Sequence, residues 1–211
     1  MKVYSEKDLE NFERDEYGFL LCPSGDYTQI KSFDARCSFG DNCRFGQYCS
    51  FGEFCSFGKH CRFGRHCRFG ECCSFGEWCR FGEWCYFYAR CRFVEYCRFG
   101  KHCRFGEYCS FGECCSFGEC CSFGECCGLE NNLKFENIEN KVDRVLKIDR
   151  IGSRKGCTYF FKTFNEIYVR CGCFFGTITE FKNEVNKTHA NNKQYRKEYI
   201  GAIKYVKEVL R

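Results

Sequence analysis

The stretch "CRFGEYCSFGECCSFGEC", residues 103–120, is three near-identical hexads: Cys, Ser or Arg, Phe, Gly, an acid and a variable residue. Cysteine recurs at every sixth position from Cys37 to Cys127, 16 positions without a miss, and phenylalanine does so from Phe33 to Phe123, again 16. A period this strict, in a 211-residue chain with one proline, 24 Cys and 26 Phe, makes the repeat the feature that decides the fold. Residues two apart in an extended strand face the same side. Cys and Phe of C-x-F therefore point together, and the Ser or Arg between them points away. Gly and the two residues after it supply a corner, since glycine accepts backbone angles that other residues resist. Each hexad is expected to form a short strand plus a turn, and three hexads to close an 18-residue triangular coil.

The interior of such a coil is narrow, and one large and one small side chain per hexad fill it. Adding eighteen to a position gives its neighbour one coil on, so the expected core can be written as columns. The phenylalanine columns are Phe39, Phe57, Phe75, Phe93 and Phe111; Phe45, Phe63, Phe81, Phe99 and Phe117; and Phe51, Phe69, Phe87, Phe105 and Phe123. The cysteine columns are Cys43, Cys61, Cys79, Cys97 and Cys115; Cys49, Cys67, Cys85, Cys103 and Cys121; and Cys55, Cys73, Cys91, Cys109 and Cys127. Each buried Phe contributes roughly 1.5–3 kcal/mol before chain entropy is subtracted. Stacked cysteines lie within disulfide range by their Cα atoms, but their parallel Cβ vectors disfavour a bridge, so reduced thiol ladders are expected. With strands ~4.8 Å apart, about five coils make a rod on the order of 25 Å long.

Written as Phe-Gly-x-x-Cys-x, the units "FGDNCR", "FGQYCS", "FGEFCS" and "FGKHCR" resemble the hexapeptide repeat of left-handed parallel β-helices. In that family an aliphatic residue is followed by Gly and, four positions on, by a small residue. The resemblance covers Phe33 to about Lys134, where "LENNLK" (Leu129, Leu133) looks like a last unit with aliphatic fillers. It implies a mainly β protein with a left-handed parallel β-helix over residues 33–134. Tyr88 and Val94 stand where the repeat has Gly, marking either a distorted corner or a contact surface.

Many relatives with this repeat are trimeric acyltransferases, and a related group are zinc carbonic anhydrases. The acyltransferase reading needs a histidine base near a loop leaving the coils, and this repeat is uninterrupted. His60, His66 and His102 fall on corners, where aromatic stacking explains them equally well. His66 and His102 share a column two coils apart and cannot meet on one metal. Thiolates select Cu(I) or Zn, which makes a thiol-based metal binder a further alternative. Cys72, Cys114, Cys120 and Cys126 sit at the variable corner position and are the candidates for oxidation or metal uptake. No cofactor and no catalytic residue is otherwise implied.

The outer surface follows from the same arithmetic. One corner stacks Asn42, His60, Trp78, Tyr96 and Cys114, the next Tyr48, His66, Trp84, His102 and Cys120, the third Phe54, Cys72, Arg90, Tyr108 and Cys126. One wall carries Arg44, Arg62, Arg80 and Arg98 in a row, and acids precede many corners (Glu53, Glu71, Glu77, Glu83, Glu95, Glu107). Two readings stand side by side: surface ion-pair networks of little individual worth, or an anion- or nucleic-acid-binding wall. Trp78, Trp84 and Tyr96 likewise suit either stacking between coils or an oligomer or partner surface.

Both ends lack the period. Residues 1–32 read as an amphipathic helix, a strand and a Pro-Ser-Gly turn that cap the open strand edges of the first coil. Residues 135–211 read as an α+β domain that caps the last coil. Strand signals lie in "VLKIDRIG", "GCTYFFKTF" and "EIYVRCG". A helix opens at Thr177 with Glu180 in capping-box spacing, and a second places Tyr195, Tyr199, Ile203 and Val206 on one face. Residues 1–36 hold 5 basic and 8 acidic side chains, residues 37–128 hold 11 and 10, and residues 129–211 hold 17 and 10. Nucleic acid is therefore possible through the basic C-terminal domain.

No stretch approaches the ~20 apolar residues of a membrane span, and no signal-peptide run opens the chain. The stretch "IGSRKGCTYFF…IYVRCGCFFGTITEF…H…YRKEYIGAI", within residues 150–204, resembles a module of uncharacterised phage and prophage proteins. It implies a bacterial cytoplasm. Cys171 or Cys173 with His189 is conceivable as a nucleophile site, but nothing in the sequence supplies an orienting third group. The expectation is a non-enzymatic structural or binding protein with an unknown protein partner, and with oligomerisation through the aromatic corners possible.

Overall fold

The computed structural model describes residues 1–124, 127–130, 133–135, 138, 142–153, 155–172 and 174–210. The chain divides into two compact units, Met1–Leu129 with Phe135–Asn137, and Glu130–Lys134 with Ile138–Arg211.

The first unit is a parallel β-solenoid, mainly β, of about six coils. Three sheets form its walls. Wall A carries Arg44–Phe45, Arg62–Phe63, Arg80–Phe81 and Arg98–Phe99. Wall B carries Cys37–Phe39, Ser56–Phe57, Ser74–Phe75 and Arg92–Phe93, and wall C carries Ser50–Phe51, Arg68–Phe69, Tyr86–Phe87 and Arg104–Phe105. Partners in each wall are eighteen residues apart, as in Arg62 with Arg80 and Arg68 with Tyr86, except that Leu20–Cys22 and Cys37–Phe39 are offset by seventeen. The backbone stitches coil to coil: Arg62 N–H donates to the Cys43 carbonyl at 2.8 Å and Gly64 N–H to that of Phe45 at 3.1 Å.

The coil number exceeds the expected five because the solenoid begins earlier than its period. Leu20–Cys22 pairs with Cys37–Phe39, Asp26–Tyr27 with Arg44–Phe45, and Ser32–Phe33 with Ser50–Phe51. Residues 20–32, read from sequence as part of a cap, thus build a first coil in which Cys22, Tyr27 and Ile30 take the interior places. Side-chain burial, not hexad identity, is what closes that coil. The cap proper is shorter. Tyr4 stacks on Tyr27 (4.9 Å, 20°), Phe12 meets Tyr4 edge-on at 5.3 Å, and the expected amphipathic helix is the single turn α1, Glu6–Leu9.

Inside, the phenylalanines form three columns of near-parallel rings, for example Phe45–Phe63 at 4.8 Å and Phe63–Phe81 at 4.8 Å. Between columns the rings meet edge to face, as in Phe57–Phe63 at 5.0 Å and 88°. Both arrangements suit the aromatic quadrupole. The ladder cysteines are buried free thiols, and from Cys43 onward they reach back to backbone carbonyls of the previous coil, as in Cys79 Sγ to Gly58 O at 3.3 Å and Cys97 Sγ to Gly76 O at 3.4 Å. The thiol is therefore a hydrogen-bond donor as well as a small filler. A hydrogen bond to the Cys61 thiol, then burial, holds the Cys43 thiol well above its ordinary pKa.

The glycines have a different role from the one expected. Fifteen non-glycine residues at six-residue intervals from Arg36 to Cys120 hold the left-handed conformation, with φ between 56° and 61°. Twelve of them stand two places after a hexad glycine, which keeps an ordinary φ; Arg36, Arg90 and Tyr96 follow Asp34, Tyr88 and Val94 instead. Glycine suits that place because the previous coil is close: a Cβ on Gly64 would lie 2.6 Å from the carbonyl carbon of Gly46. Tyr88 and Val94 nevertheless keep the same backbone bonds as the glycines, to Phe69 O (2.9 Å) and Phe75 O (3.0 Å). Their corners keep the regular coil-to-coil bond.

The second unit is an antiparallel four-stranded sheet, Val142–Ile151, Gly156–Thr163, Ile167–Cys171 and Phe174–Thr177 in sequential order, with helices α2 (Ile178–Thr188) and α3 (Lys193–Val209). Its core gathers Phe160, Val169, Phe181, Tyr199, Ile203 and Val206 among others. The α2 capping box is present: Glu180 N–H donates to Thr177 Oγ1 (3.2 Å), and Thr177 N–H donates to the Glu180 carboxylate (2.7 Å). Tyr195, read as sharing a face of α3 with Tyr199, Ile203 and Val206, is half-buried, against His189, while those three are buried.

Candidate functional site

The left-handed corner residues point their side chains out along the solenoid edges, and eighteen-residue register stacks them. Tyr48, His66, Trp84 and His102 form one continuous ridge, with ring centroids 4.9, 6.3 and 4.1 Å apart and interplanar angles of 1°, 9° and 13°. His60, Trp78 and Tyr96 form a second, at 6.3 and 4.3 Å. Because the rings cover one another's faces, each ridge shows mainly ring edges along its length. Trp84 stands between His66 and His102, which keeps the two imidazoles from converging on one ion. Phe54 and Tyr108 project from the third corner and are exposed.

The wall residues lie two places after each corner residue. Arg44, Arg62, Arg80 and Arg98 are consecutive and in register on wall A, all exposed. Arg44 lies in the electrostatic field of Asp26, whose carboxyl is held below its usual range first by the Thr28 hydroxyl (2.6 Å) and in part by that guanidinium. Arg62, Arg80 and Arg98 make no ion pair among the described residues. Two of the acids expected to neutralise them, Glu77 and Glu83, are engaged elsewhere. Lys59 pairs with Glu77 at 3.0 Å, Arg65 with Glu83 at 3.9 Å and Lys101 with Glu119 at 3.1 Å, each from corner to corner across one coil. The ion-pair network thus exists, but it runs along the corners and leaves the wall out. Sequence reasoning missed this because acid and arginine counts match. The signal was positional: in the hexads the acids stand directly after the glycine place, eighteen residues from the charge stacked on the next coil, and never at a wall place.

Wall B presents a serine line, with Ser56 Oγ donating to Ser38 Oγ at 3.0 Å, interrupted by Arg92. Wall C presents Ser50, Arg68, Tyr86 and Arg104. Together with the Tyr48–His102 ridge and Tyr88, wall C encloses a groove of about 630 Å³. A smaller groove of about 400 Å³ lies between Asn42, His60, Arg44 and Arg62.

Among the candidate thiols, Cys72 and Cys114 are half-buried and Cys120 is exposed, each on a left-handed corner. Cys114 lies beside the Tyr96 phenol and raises its pKa. Cys126 lies outside the described residues. Among the described residues no group of three metal-ligating side chains converges.

In the C-terminal unit, Cys171, His189, Glu184, Thr188 and Tyr199 line one cavity of about 300 Å³. The Cys171 thiol donates to the Tyr199 hydroxyl at 3.8 Å and accepts from Thr158 Oγ1 at 3.3 Å, while the His189 ring stacks on that of Tyr199 at 5.5 Å. Tyr199, not the imidazole, is the thiol's partner. Burial, then the Cys171 thiol, pushes the Tyr199 phenol up to about 12. Cys173 lies outside the described residues. The basic surface of this unit includes Lys193, Arg196 and Lys197 on α3. Comparison with known protein families, curated proteins and solved structures finds no match to the chain.

Proposed function

We propose that the chain is a non-enzymatic binding protein whose solenoid presents wall A to an anionic partner, with the basic C-terminal unit as a second interaction module. The observation that carries the reading is the row Arg62, Arg80, Arg98, exposed and without a carboxylate among the described residues. Like charges directly opposite each other on neighbouring strands are destabilising. Glu77, Glu83 and Glu119 are taken up by Lys59, Arg65 and Lys101, and no carboxylate forms an ion pair with the row among the described residues. Guanidinium forks in such a row bind phosphate, sulfate or carboxylate groups in paired hydrogen bonds. The phage or prophage setting implied by residues 150–204 belongs to the same proposal and is tested by the genomic neighbours.

The wall is tested by retention on immobilised heparin. Arg62→Ala/Arg80→Ala/Arg98→Ala is expected to elute at clearly lower salt than the unaltered chain, because each lost phosphate- or sulfate-type contact lowers the salt dependence. Elution at unchanged salt, with an unchanged unfolding midpoint, would sink the proposal.

A further inference from the structure

Wall C departs from the repeat at two neighbouring places. Tyr86 replaces the outward Ser or Arg, and Tyr88 replaces the corner glycine. The two rings meet edge to face, 4.8 Å apart at 73°, and are 37% and 48% exposed. An edge-to-face pair leaves ring faces that the partner does not cover. The fold itself does not need them, since Ser50 holds the same wall position and the Tyr88 backbone bonds as a glycine does. Tyr86 lies in register between Arg68 and Arg104, both exposed and without an ion pair among the described residues. The far side of the groove is the edge of the ridge, where Trp84 and His102 carry ring N–H donors.

We propose that this groove binds single-stranded nucleic acid, with phosphates on Arg68 and Arg104 and a base stacked on the Tyr86–Tyr88 pair. The inference rests on the anionic partner proposed above and names its class. A partner with negative charge alone would use the arginines and leave the tyrosine platform idle. A strand that alternates phosphates with flat rings uses both, and stacking of this kind tolerates any base. A duplex keeps its bases stacked inside and offers none to the platform. The groove volume lies within the ~300–1,000 Å³ of ligand sites.

The test is fluorescence anisotropy of labelled oligothymidylate and oligouridylate with the intact chain over a range of salt, beside heparin retention. Tyr86→Ser/Tyr88→Gly installs residues that the repeat itself carries at these places, and its unfolding midpoint checks the fold. It is expected to weaken oligonucleotide binding about 5- to 100-fold and to leave heparin retention unchanged. Arg68→Ser/Arg104→Ser is expected to lower the slope of log affinity against log salt by about 1.4. Oligonucleotide binding that ignores the tyrosine pair overturns the groove proposal and leaves the anionic wall standing. Heparin retention without any oligonucleotide binding at low salt does the same. Absence of both heparin retention and oligonucleotide binding in the unaltered chain overturns the two readings together.

Discussion

A non-glycine residue held near φ +59° costs about 1 kcal/mol, and the solenoid carries that cost at fifteen corners. Part of it is offset where the corner ring stacks on its neighbours. Phe54 has no stacked ring partner among the described residues and is 45% exposed, whereas Trp84 is sandwiched by His66 and His102. Phe54→Gly is therefore expected to be neutral to stabilising, by up to about 1 kcal/mol. Trp84→Gly should come out about 1–2 kcal/mol less stable than Phe54→Gly, because two ring contacts go with it. Equal urea midpoints for the two variants would contradict the account. The inward Cys and Phe were legible from sequence because a two-residue period is a property of any strand. The left-handed position was not, because only Asn42 and the histidines His60, His66 and His102 among these corner residues favour it; Trp, Tyr, Phe, Arg and Cys conceal it.

Columns of identical side chains convert a one-dimensional period into stacked elements. In the core, Phe87 is fully buried, parallel to Phe69 at 4.7 Å and to Phe105 at 5.0 Å, and edge-on to Phe81 and Phe93 at 5.0 Å. Phe87→Ala removes one ring from the middle of that stack and is expected to cost about 3–5 kcal/mol. Phe87→Leu keeps most of the volume and should cost less than about 1.5 kcal/mol. Chemical denaturation of both variants, followed by far-ultraviolet circular dichroism, checks the order. The membership of every column could be read by adding eighteen, and so could the arginine row. What the arithmetic could not give was the pairing of charges. Whether Glu77 reaches the wall or Lys59 depends on how a corner turns, and that angle follows from the left-handed residue rather than from composition.

For each unit taken by itself, alkaline pH has a calculable sign. Burial raises the Tyr27 phenol in the solenoid and takes the Tyr199 phenol in the C-terminal unit to about 12; thiol hydrogen bonding and burial raise Cys22 and Cys43. All four are acids whose neutral form the fold favours. Their contribution is complete below the unfolded values, about 8.5 for a thiol and about 10 for a phenol, and is lost as pH rises beyond them. Thermal midpoints are expected to fall between about pH 8.5 and about pH 11; a rise over that range would be the wrong sign. At this scale the sequence showed the second unit's first three strands, both helices and the Thr177 cap. It hid the first coil, where Tyr27 and Ile30 do the work of the hexad without its spelling.

The hidden coil matters because the hexads that follow are nearly interchangeable. Any one of them could pair with several others, and a slip of eighteen residues would leave the backbone bonds and most phenyl stacks between hexads satisfied. The seam between residues 20–33 and residues 37–51 is one place that breaks this sameness, and the pairing of Phe111 with Leu129 is another, so the frame of the winding is marked at both ends. Length is then a free variable: inserting one full turn adds a rung to the arginine ladder without disturbing its neighbours, while inserting a single hexad rotates everything beyond it onto the wrong face. The solenoid is in that sense a ruler whose graduations count binding groups, and lineages of such a chain would be expected to differ in whole turns.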